Sequence, residues 1–302
     1  MGKCVLCGLE FNYGYTLLTG EEVCESCREI ECGSCSKCGG LDIGSRIAEH
    51  YDWDADVYLN LCFDCYKKET KLYPHDYSPH LNFSNESDRS HVLHIGVELE
   101  ILCDKKNKFL TKLNNFEKDF YPKYDGSLDD GGVEIVSHPM IMPTLLSKWK
   151  NIFDLFQDTY VTYDCGLHFH LDRKYLTERQ IKNIDYIVNN VPDLIEEIGD
   201  RKIKHHEWAE LVEKNYNEWG INTTDRYVAV NLTNKNTVEL RCFNATNDFE
   251  KFKKIIVFVC SLVELAQKHT FYYFYNKDEI VLTNYINTFM KDFAKKYLID
   301  LV

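Results

Sequence analysis

The arrangement of cysteines constrains this chain more than any other feature. Of its 13 cysteines, nine fall within the first 65 residues, and eight of these form pairs in which two residues separate the partners. The paired residues are Cys4 and Cys7, Cys24 and Cys27, Cys35 and Cys38, and Cys62 and Cys65. Two such pairs can supply the four thiolates of a tetrahedral zinc site. Pairing them in chain order predicts two structural Zn²⁺ ions within residues 1–72.

A disulfide framework or a redox centre is the alternative use of these cysteines. The sequence opens on Met-Gly-Lys-Cys without an apolar signal segment, which predicts an intracellular protein and disfavours disulfides. Four repeated pairs also exceed what one redox centre needs. Gly8 and Gly39 each follow the second cysteine of a pair, where a metal-binding turn needs positive φ. Cys32 stays outside the pairs and could replace a ligand in either site.

The charge balance and the hydrophobic pattern limit the classes of partner. The 302-residue chain has a net charge of −13, whereas nucleic-acid binding needs a cationic surface, so we expect no nucleic-acid partner. The most apolar run, residues 255–266, is too short to span a bilayer and contains Glu264, so it predicts a buried helix. Abundant Tyr, Asn, Lys and Ile are typical of an AT-rich genome. We therefore expect a cytoplasmic protein from a bacterium or a virus-infected host cell.

The chain beyond the cysteines divides into a linker and a larger domain. Residues 73–90, rich in Pro, His, Ser, Asn and Asp, predict the linker. The domain, residues 91–302, mixes strand-like and helix-like runs. The predicted strands are 94–102, 132–137, 167–171, 226–232 and 237–243, and the predicted helices are 110–121, 144–157, 177–198, 249–269 and 282–301. This order predicts an α+β fold with a mainly antiparallel sheet and flanking helices.

Polar residues recur on these strands with a period of two. They are Glu98 and Glu100, His168 and His170, Glu239 and Arg241, and the single Glu134. Residues two apart in a strand face the same side of the sheet. For any one pair, a solvated sheet face explains the pattern. On all four strands together, so many ionisable groups would be costly to bury unless they shared counter-ions. The set predicts a metal-and-anion site.

The chemistry of these side chains narrows the ligand. Carboxylates with one imidazole suit hard octahedral ions such as Mg²⁺ or Mn²⁺. Arginine supplies a planar fork for phosphate or carboxylate. Together they fit a metal-bound nucleoside triphosphate such as ATP. Because the glycine patterns of phosphate-binding loops are missing, the sheet itself would have to hold ATP.

Five short motifs along the larger domain form a recognisable series. They are GVELE at 96–100, DGSL at 125–128, GVEIVS at 132–137, CGLHFH at 165–170 and NTVELR at 236–241. In this order they resemble the amidoligase family, which shares a fold class with glutamine synthetase and glutamate–cysteine ligase. The resemblance covers about residues 93–270 and implies the glutamine-synthetase-like catalytic fold.

The resemblance implies metal-binding roles for the acidic and imidazole residues. Glu98 and Glu100 resemble the paired strand glutamates that hold two divalent ions, and Glu134 resembles a further ligand of one ion. His168 resembles the histidine that shares the other ion with Glu98 and Glu239, near the ATP phosphates.

Other matching positions are implied to contact substrate or nucleotide. Arg241 resembles the arginine that faces the transferred phosphoryl group, and His170 lies beside the expected nucleotide. Arg226 and Asn231 would hold substrate or nucleotide. Asp125, in the Asp-Gly-Ser element, would orient or deprotonate the amine.

The function that the resemblance implies is an ATP-dependent ligase. It would join a carboxylate to an amine through an acyl phosphate, and the zinc modules beside it favour a peptide or protein as one substrate. Two alternatives remain open from the residues alone. One is a non-catalytic nucleotide-binding or protein-interaction scaffold with a zinc adaptor. The other is a hydrolase that binds Zn²⁺ through His168, His170 and Glu98. The substrates and the oligomeric state stay undetermined.

Overall fold

Two compact units make up the protein. The computed structural model describes residues 1–52, 55–83, 90–128, 132–202, 209–212, 225–275 and 277–301. One unit consists of Met1–His80 and Tyr121–Ser127, and the other of Leu81–Phe120 and Leu128–Val302. Residues 73–80 of the predicted linker and the later segment 121–127 therefore belong to the first unit.

The first unit contains two modules with the same order of elements. The first module has β1 (Gly2–Lys3), β2 (Glu10–Phe11), β3 (Tyr15–Thr16), β4 (Glu22–Val23) and α1 (Glu25–Glu31). The second has β5 (Cys32–Ser34), β6 (Leu41–Ile43), β7 (Ile47–Asp52), β8 (Val57–Cys62) and α2 (Phe63–Thr70). In each module two antiparallel hairpins precede a helix.

The apolar core of the first module is small. Leu17 and Val23 are buried there, and Cys32, Leu41 and Ile43 of the second module pack against them. So few apolar side chains stabilise a fold weakly, which is why such modules commonly depend on bound metal.

From residue 95 onward, strands and helices are interspersed. The elements are β9 (Ile95–Cys103), α3 (Lys106–Leu113), β10 (Phe120–Lys123), β11 (Gly132–Ser137), α4 (Met142–Phe153), β12 (Thr159–Tyr160), β13 (Gly166–Asp172), α5 (Glu178–Asn189), α6 (Pro192–Gly199), β14 (Val230–Asn231), β15 (Thr237–Asn244), α7 (Phe249–Lys268), α8 (Phe271–Tyr275) and α9 (Glu279–Lys296). No helix within the described ranges combines the length and apolarity needed to cross a bilayer.

An antiparallel sheet forms the centre of the second unit. Its strands run in the order β11-β9-β13-β15-β14, and β12 pairs with the end of β9. This arrangement of helices around an antiparallel sheet confirms the predicted mixed fold class.

One face of the sheet is apolar and packs against helices. Val97 and Leu99 of β9 and Phe169 of β13 are fully buried. The ring of Phe169 lies 6.3 Å from that of Phe252 on α7, and Trp149 of α4 lies 5.1 Å from the same ring. The residues between these apolar positions therefore face the other side of the sheet.

Two of the predicted helices were wrong in extent. Residues 110–121 do not form one helix, because α3 ends at Leu113 and the chain enters β10 at Phe120. Asn114 and Asn115 follow Leu113, and asparagine side chains compete for backbone hydrogen bonds. Residues 177–198 form two helices, because Pro192 lacks an N–H group and begins α6.

The predicted strand 226–232 is much shorter in the structure. Only Val230–Asn231 is a strand, and Val228 forms an isolated bridge with Glu210. The short helix α8 was not anticipated, because five aromatic residues in succession show no helical period.

Candidate functional site

The predicted polar residues lie on the sheet face opposite the apolar core. Cross-strand register brings them together from neighbouring strands. The pairs are His168 with Glu98, Glu134 with Glu100, and both His170 and Asn231 with Glu239. Because facing residues in adjacent strands are close neighbours, the register concentrates charge on one area of the sheet.

Three of these side chains have the spacing of metal ligands. Nδ1 of His168 lies 3.6 Å from Oε2 of Glu98 and 3.7 Å from Oε1 of Glu239. The ligand atoms all lie within 4.8 Å of one another. Around an octahedral Mg²⁺ with bonds of about 2.1 Å, adjacent ligands are about 3 Å apart and opposite ones about 4.2 Å. We call Glu98, His168 and Glu239 the triad; the two measured separations lie between these values, so small side-chain movements would be enough for the three to bind one ion.

The triad is electrically coupled to His170. Nε2 of His170 lies 3.2 Å from Oε2 of Glu98 and 4.0 Å from Oε1 of Glu239. Burial acts to lower the pKa of His170, but Glu98 and Glu239 raise it to about 9. Burial likewise opposes ionisation of Glu98, yet His170 and His168 hold its pKa well below the usual range. The cluster therefore attracts positive charge.

Glu239 is held at both of its oxygen atoms. Nη1 of Arg241 lies 2.6 Å from Oε1, and Nδ2 of Asn231 donates to Oε2 at 2.5 Å. The side-chain amide oxygen of Asn231 in turn accepts hydrogen bonds from the backbone N–H and the hydroxyl of Thr233, at 3.0 and 2.8 Å. Asn231 is buried, and its hydrogen bond to Oε2 holds the carboxylate of Glu239 in place.

Glu100 and Glu134 are buried beside the triad. The N–H of Gly166 donates to Oε2 of Glu100 at 2.5 Å. Glu134 faces Glu100 across β9 and β11. Within the part of the chain that the structure describes, the only non-cysteine set of three metal-ligating side chains is the triad. The structure thus brings together the three side chains to which the resemblance assigns one divalent ion.

Two further predicted catalytic residues, Asp125 and Arg226, have at least partly exposed side chains. Asp125 belongs to the first unit and occupies an exposed turn, where its Oδ1 accepts from the backbone N–H and hydroxyl of Ser127 at 2.7 and 2.6 Å. Arg226 is exposed, and its guanidinium lies over the ring of Tyr227, 4.8 Å from the centroid. Their predicted contacts with substrate remain predictions.

One residue near the site was missed by the sequence analysis. Arg201 is 3% exposed, and its Nη1 donates to the backbone carbonyls of Arg241 and Phe243. It follows a helix rather than lying on a strand, so no period-two pattern includes it. A single arginine after a helix does not, from the sequence alone, predict a buried position beside the site.

The eight paired cysteines form two four-thiol clusters in the first unit. Their members are Cys4, Cys7, Cys24 and Cys27 in one, and Cys35, Cys38, Cys62 and Cys65 in the other. Sγ of Cys7 lies 3.8 Å from that of Cys24, and Sγ of Cys38 lies 3.9 Å from that of Cys62. A tetrahedron with Zn–S bonds of about 2.3 Å has edges of about 3.8 Å. Both clusters fit Zn²⁺.

The local backbone explains why these sequences form such clusters. Gly8 has φ 75° and donates its N–H to the carbonyl of Cys4, and Gly39 has φ 71° and donates to that of Cys35. The predicted need for positive φ is therefore met. Burial opposes ionisation of Cys4, but backbone N–H groups lower its pKa to about 6, and the pKa of Cys35 also falls to about 6. The first thiol of each cluster thus readily becomes a thiolate, whereas neighbouring thiols and burial raise the pKa of the last thiol, Cys27 or Cys65.

Cys32 belongs to neither cluster. It packs against the core of the first module, and burial raises its pKa. The expectation that it could replace a zinc ligand is therefore not supported by its position.

Comparison with known proteins gives limited information. No protein-family model and no curated protein matches this sequence. Among solved structures, one described as "Crystal structure of novel glutamine synthase homolog" matches with a TM-score of 0.37 and 12% sequence identity. The match covers 84% of this chain and 75% of the other. A similarity this distant carries no conclusion about chemistry, so function has to be argued from the site.

Proposed function

We propose that the second unit is an ATP- and Mg²⁺-dependent ligase that joins a carboxylate to an amine. The observation that carries the proposal is the triad, in which ligand atoms from three neighbouring strands lie within 4.8 Å of one another. The order of the five amidoligase-like motifs supports the same function.

The charge of the cluster also suits a divalent ion. Its carboxylates are Glu98, Glu100, Glu134 and Glu239, and its guanidinium groups are Arg201 and Arg241. Four negative groups against two positive ones leave an excess of two negative charges. The raised pKa of His170 reflects this excess, because the site takes up a proton. A bound divalent cation would supply the missing positive charge instead.

The residues of the chain would divide the work of catalysis. Glu98, His168 and Glu239 would hold Mg²⁺, which when bound neutralises phosphate oxygens. Arg241 lies next to the triad and would stabilise charge on the transferred phosphoryl group. Because His168 and Glu239 are each 5% exposed, their electrostatic effects are screened only weakly by water.

The proposed reaction has two steps. An oxygen of the substrate carboxylate attacks the γ-phosphorus of ATP, so ADP leaves and an acyl phosphate forms. The amine then attacks the acyl carbon, inorganic phosphate leaves and the nitrogen gives up a proton. The product is an amide or isopeptide bond. Fusion to zinc modules favours a peptide or protein as one substrate.

The test measures ADP release by zinc-loaded full-length protein with Mg²⁺-ATP, peptide carboxylates and amines. We expect release that depends on the amine, and a loss of about 100-fold or more in Glu98→Gln and His168→Asn. Glu178→Gln, an exposed change at the start of α5, serves as the control and should keep full activity. Absence of amine-dependent release from the wild type, with Glu98→Gln binding Mn²⁺ as the wild type does, would contradict the proposal.

Metal content separates this function from its alternatives. The two cysteine clusters account for two Zn²⁺ per chain. A third tightly bound zinc that disappears in His168→Asn would instead indicate a zinc hydrolase. Binding of ATP without turnover of any substrate would indicate a scaffold.

A further inference from the structure

Arg201 is a buried arginine that lies outside all five sequence motifs. Only 3% of the residue is exposed. A charged group this deeply buried is costly unless specific partners satisfy it. The partners of Arg201 therefore indicate what the residue does.

Its guanidinium holds two backbone carbonyls of β15. Nη1 donates to the carbonyl of Arg241 at 2.9 Å and to that of Phe243 at 3.2 Å. These two residues follow Glu239 of the triad on the same strand. Arg201 thus contacts the segment that carries both the metal-ligating and the phosphate-facing side chains.

The contacted segment of β15 is irregular. Leu167 of β13 pairs with Phe243, whereas Phe169 pairs with Leu240, so two residues of β15 lie opposite His168. This is a β-bulge, which bends a strand and changes the direction of its side chains. Arg201 holds the carbonyl of one bulged residue, Arg241, and that of Phe243, the first paired residue after the bulge.

The sequence before Arg201 explains how it reaches the bulge. A Cβ at Gly199, the last residue of α6, would lie 2.9 Å from the carbonyl oxygen of Cys242 and 3.0 Å from Cδ1 of Phe243. Glycine therefore lets the end of α6 lie directly against β15. Asp200 then takes the left-handed conformation with φ 52°, and the next residue is Arg201.

The charge of Arg201 is also matched to the cluster. Burial lowers the pKa of Arg201, while the nearby carboxylate of Glu100 acts in the opposite direction. Glu100 carries one of the four negative charges described above. Arg201 therefore supplies a positive charge near the carboxylate of Glu100.

We propose that Arg201 is a positioning residue for the metal-and-phosphate site. By holding the carbonyls of Arg241 and Phe243 at the bulge, it keeps Glu239 in the triad and Arg241 beside it, and its charge offsets that of Glu100. This inference rests on the proposed function, because it presumes that the triad binds a divalent ion.

Arg173 offers a matched control, because its side chain contacts the turn that precedes β15. Its Nη1 also donates to two backbone carbonyls, those of Leu232 at 3.3 Å and Asn234 at 2.9 Å. These carbonyls belong to the turn between β14 and β15 rather than to the bulge. Arg173→Met therefore removes the same kind of contact without touching the bulge.

The experiment measures Mn²⁺ binding by zinc-loaded full-length protein, using the electron paramagnetic resonance of free and bound Mn²⁺. Loss of the positive charge alone would strengthen Mn²⁺ binding, so the weakening of about 10- to 100-fold that we expect for Arg201→Met would report the loss of positioned metal ligands. Arg201→Lys keeps the charge but not the fork, so it should bind with intermediate affinity and an altered spectrum of bound Mn²⁺. Arg173→Met should lower the melting temperature and leave the affinity near that of the wild type.

Each outcome bears on a different claim. If the wild type binds no Mn²⁺, the proposed function fails and the role of Arg201 fails with it. If the wild type binds Mn²⁺ and both Arg201 variants bind equally well with the same spectrum, only the role of Arg201 is overturned. Equal weakening in Arg173→Met also overturns it. Should Arg201→Met not fold, Arg201→Lys decides, because wild-type affinity in that variant contradicts the positioning role.

Discussion

Gly166 shows how a residue without a side chain can shape a charged site. Its N–H donates to Glu100, and a Cβ at this position would lie 2.5 Å from Nε2 of His168 and 3.3 Å from Oε2 of Glu100. Any other residue would therefore displace the imidazole ring. The glycine in the CGLHFH motif is explained by this close approach rather than by a turn.

The first prediction concerns Gly166→Ala. Because the added methyl group overlaps the ring of His168, we expect Mn²⁺ binding to weaken by about 10- to 100-fold, while two zinc ions stay bound. Titration followed by electron paramagnetic resonance measures the affinity. Gly33→Ala is the control, since its Cβ would meet Ile47 at 3.4 Å. Wild-type affinity in Gly166→Ala would contradict this account of the glycine.

The second prediction concerns pH and His170 in protein without added divalent metal. The pKa of His170 is raised to about 9 in the folded state, so its stabilising contribution is complete below about pH 6.5 and is lost as pH rises through 9. The pKa values of Glu98 and Glu239 are lowered, so their contribution is lost as the solution becomes acidic. The melting temperature of His170→Asn, measured from pH 6 to 10, should therefore fall less than that of the wild type. If the melting temperatures of the two proteins fall equally over this pH range, the coupling of His170 to Glu98 and Glu239 is contradicted.

At the scale of elements, local sequence rules account for many boundaries. A helix was predicted to begin at residue 177, and Thr177 and Gln180 form both hydrogen bonds of a capping box at the start of α5. Gly132–Ser137 is a strand with the bounds predicted for it. Short edge elements were predicted poorly, because β14 depends on its pairing with β15 rather than on its own sequence.

The third prediction tests the cap of α5. Thr177→Ala removes the acceptor for the Gln180 N–H, so we expect a loss of about 1 kcal/mol in the free energy of unfolding. Urea unfolding followed by tryptophan fluorescence measures this change. Thr288→Ala is the control, because its hydroxyl only donates to the carbonyl of Asn284 within α9. Equal effects in both variants would argue against the capping box.

At the scale of the whole molecule, the two units have different sources of stability. The second has a large aromatic core that includes Trp149, Phe169 and Phe252. The first has few buried apolar residues and two four-thiol clusters. Its stability should therefore depend on metal, because zinc binding supplies folding free energy to small domains of this kind.

The fourth prediction is that removal of zinc unfolds the first unit and leaves the second folded. Hydrogen exchange followed by mass spectrometry should show loss of protection in β7 and β8 after treatment with a zinc chelator. Protection in β13 and β15 should persist, since these strands pack against the aromatic core of the second unit. Restored zinc should restore protection. Unchanged exchange in β7 after both ions are removed would contradict a structural role for zinc.

The sequence alone determined the features that depend on short-range spacing. The pairs of cysteines predicted two four-thiol clusters, and the period of two on four strands predicted one polar sheet face with Glu98, His168 and Glu239 on it. These followed from the sequence because the geometry of a tight turn and of an extended strand is fixed within a few residues.

The tertiary structure decided what depends on contacts between distant segments. Strand order brought the triad together, a bulge in β15 placed two residues opposite His168, and the end of α6 brought Arg201 to that bulge. It also left Asp125 in the other unit. None of these follows from local spacing, because strand order, register shifts and helix docking are set by packing of the whole chain.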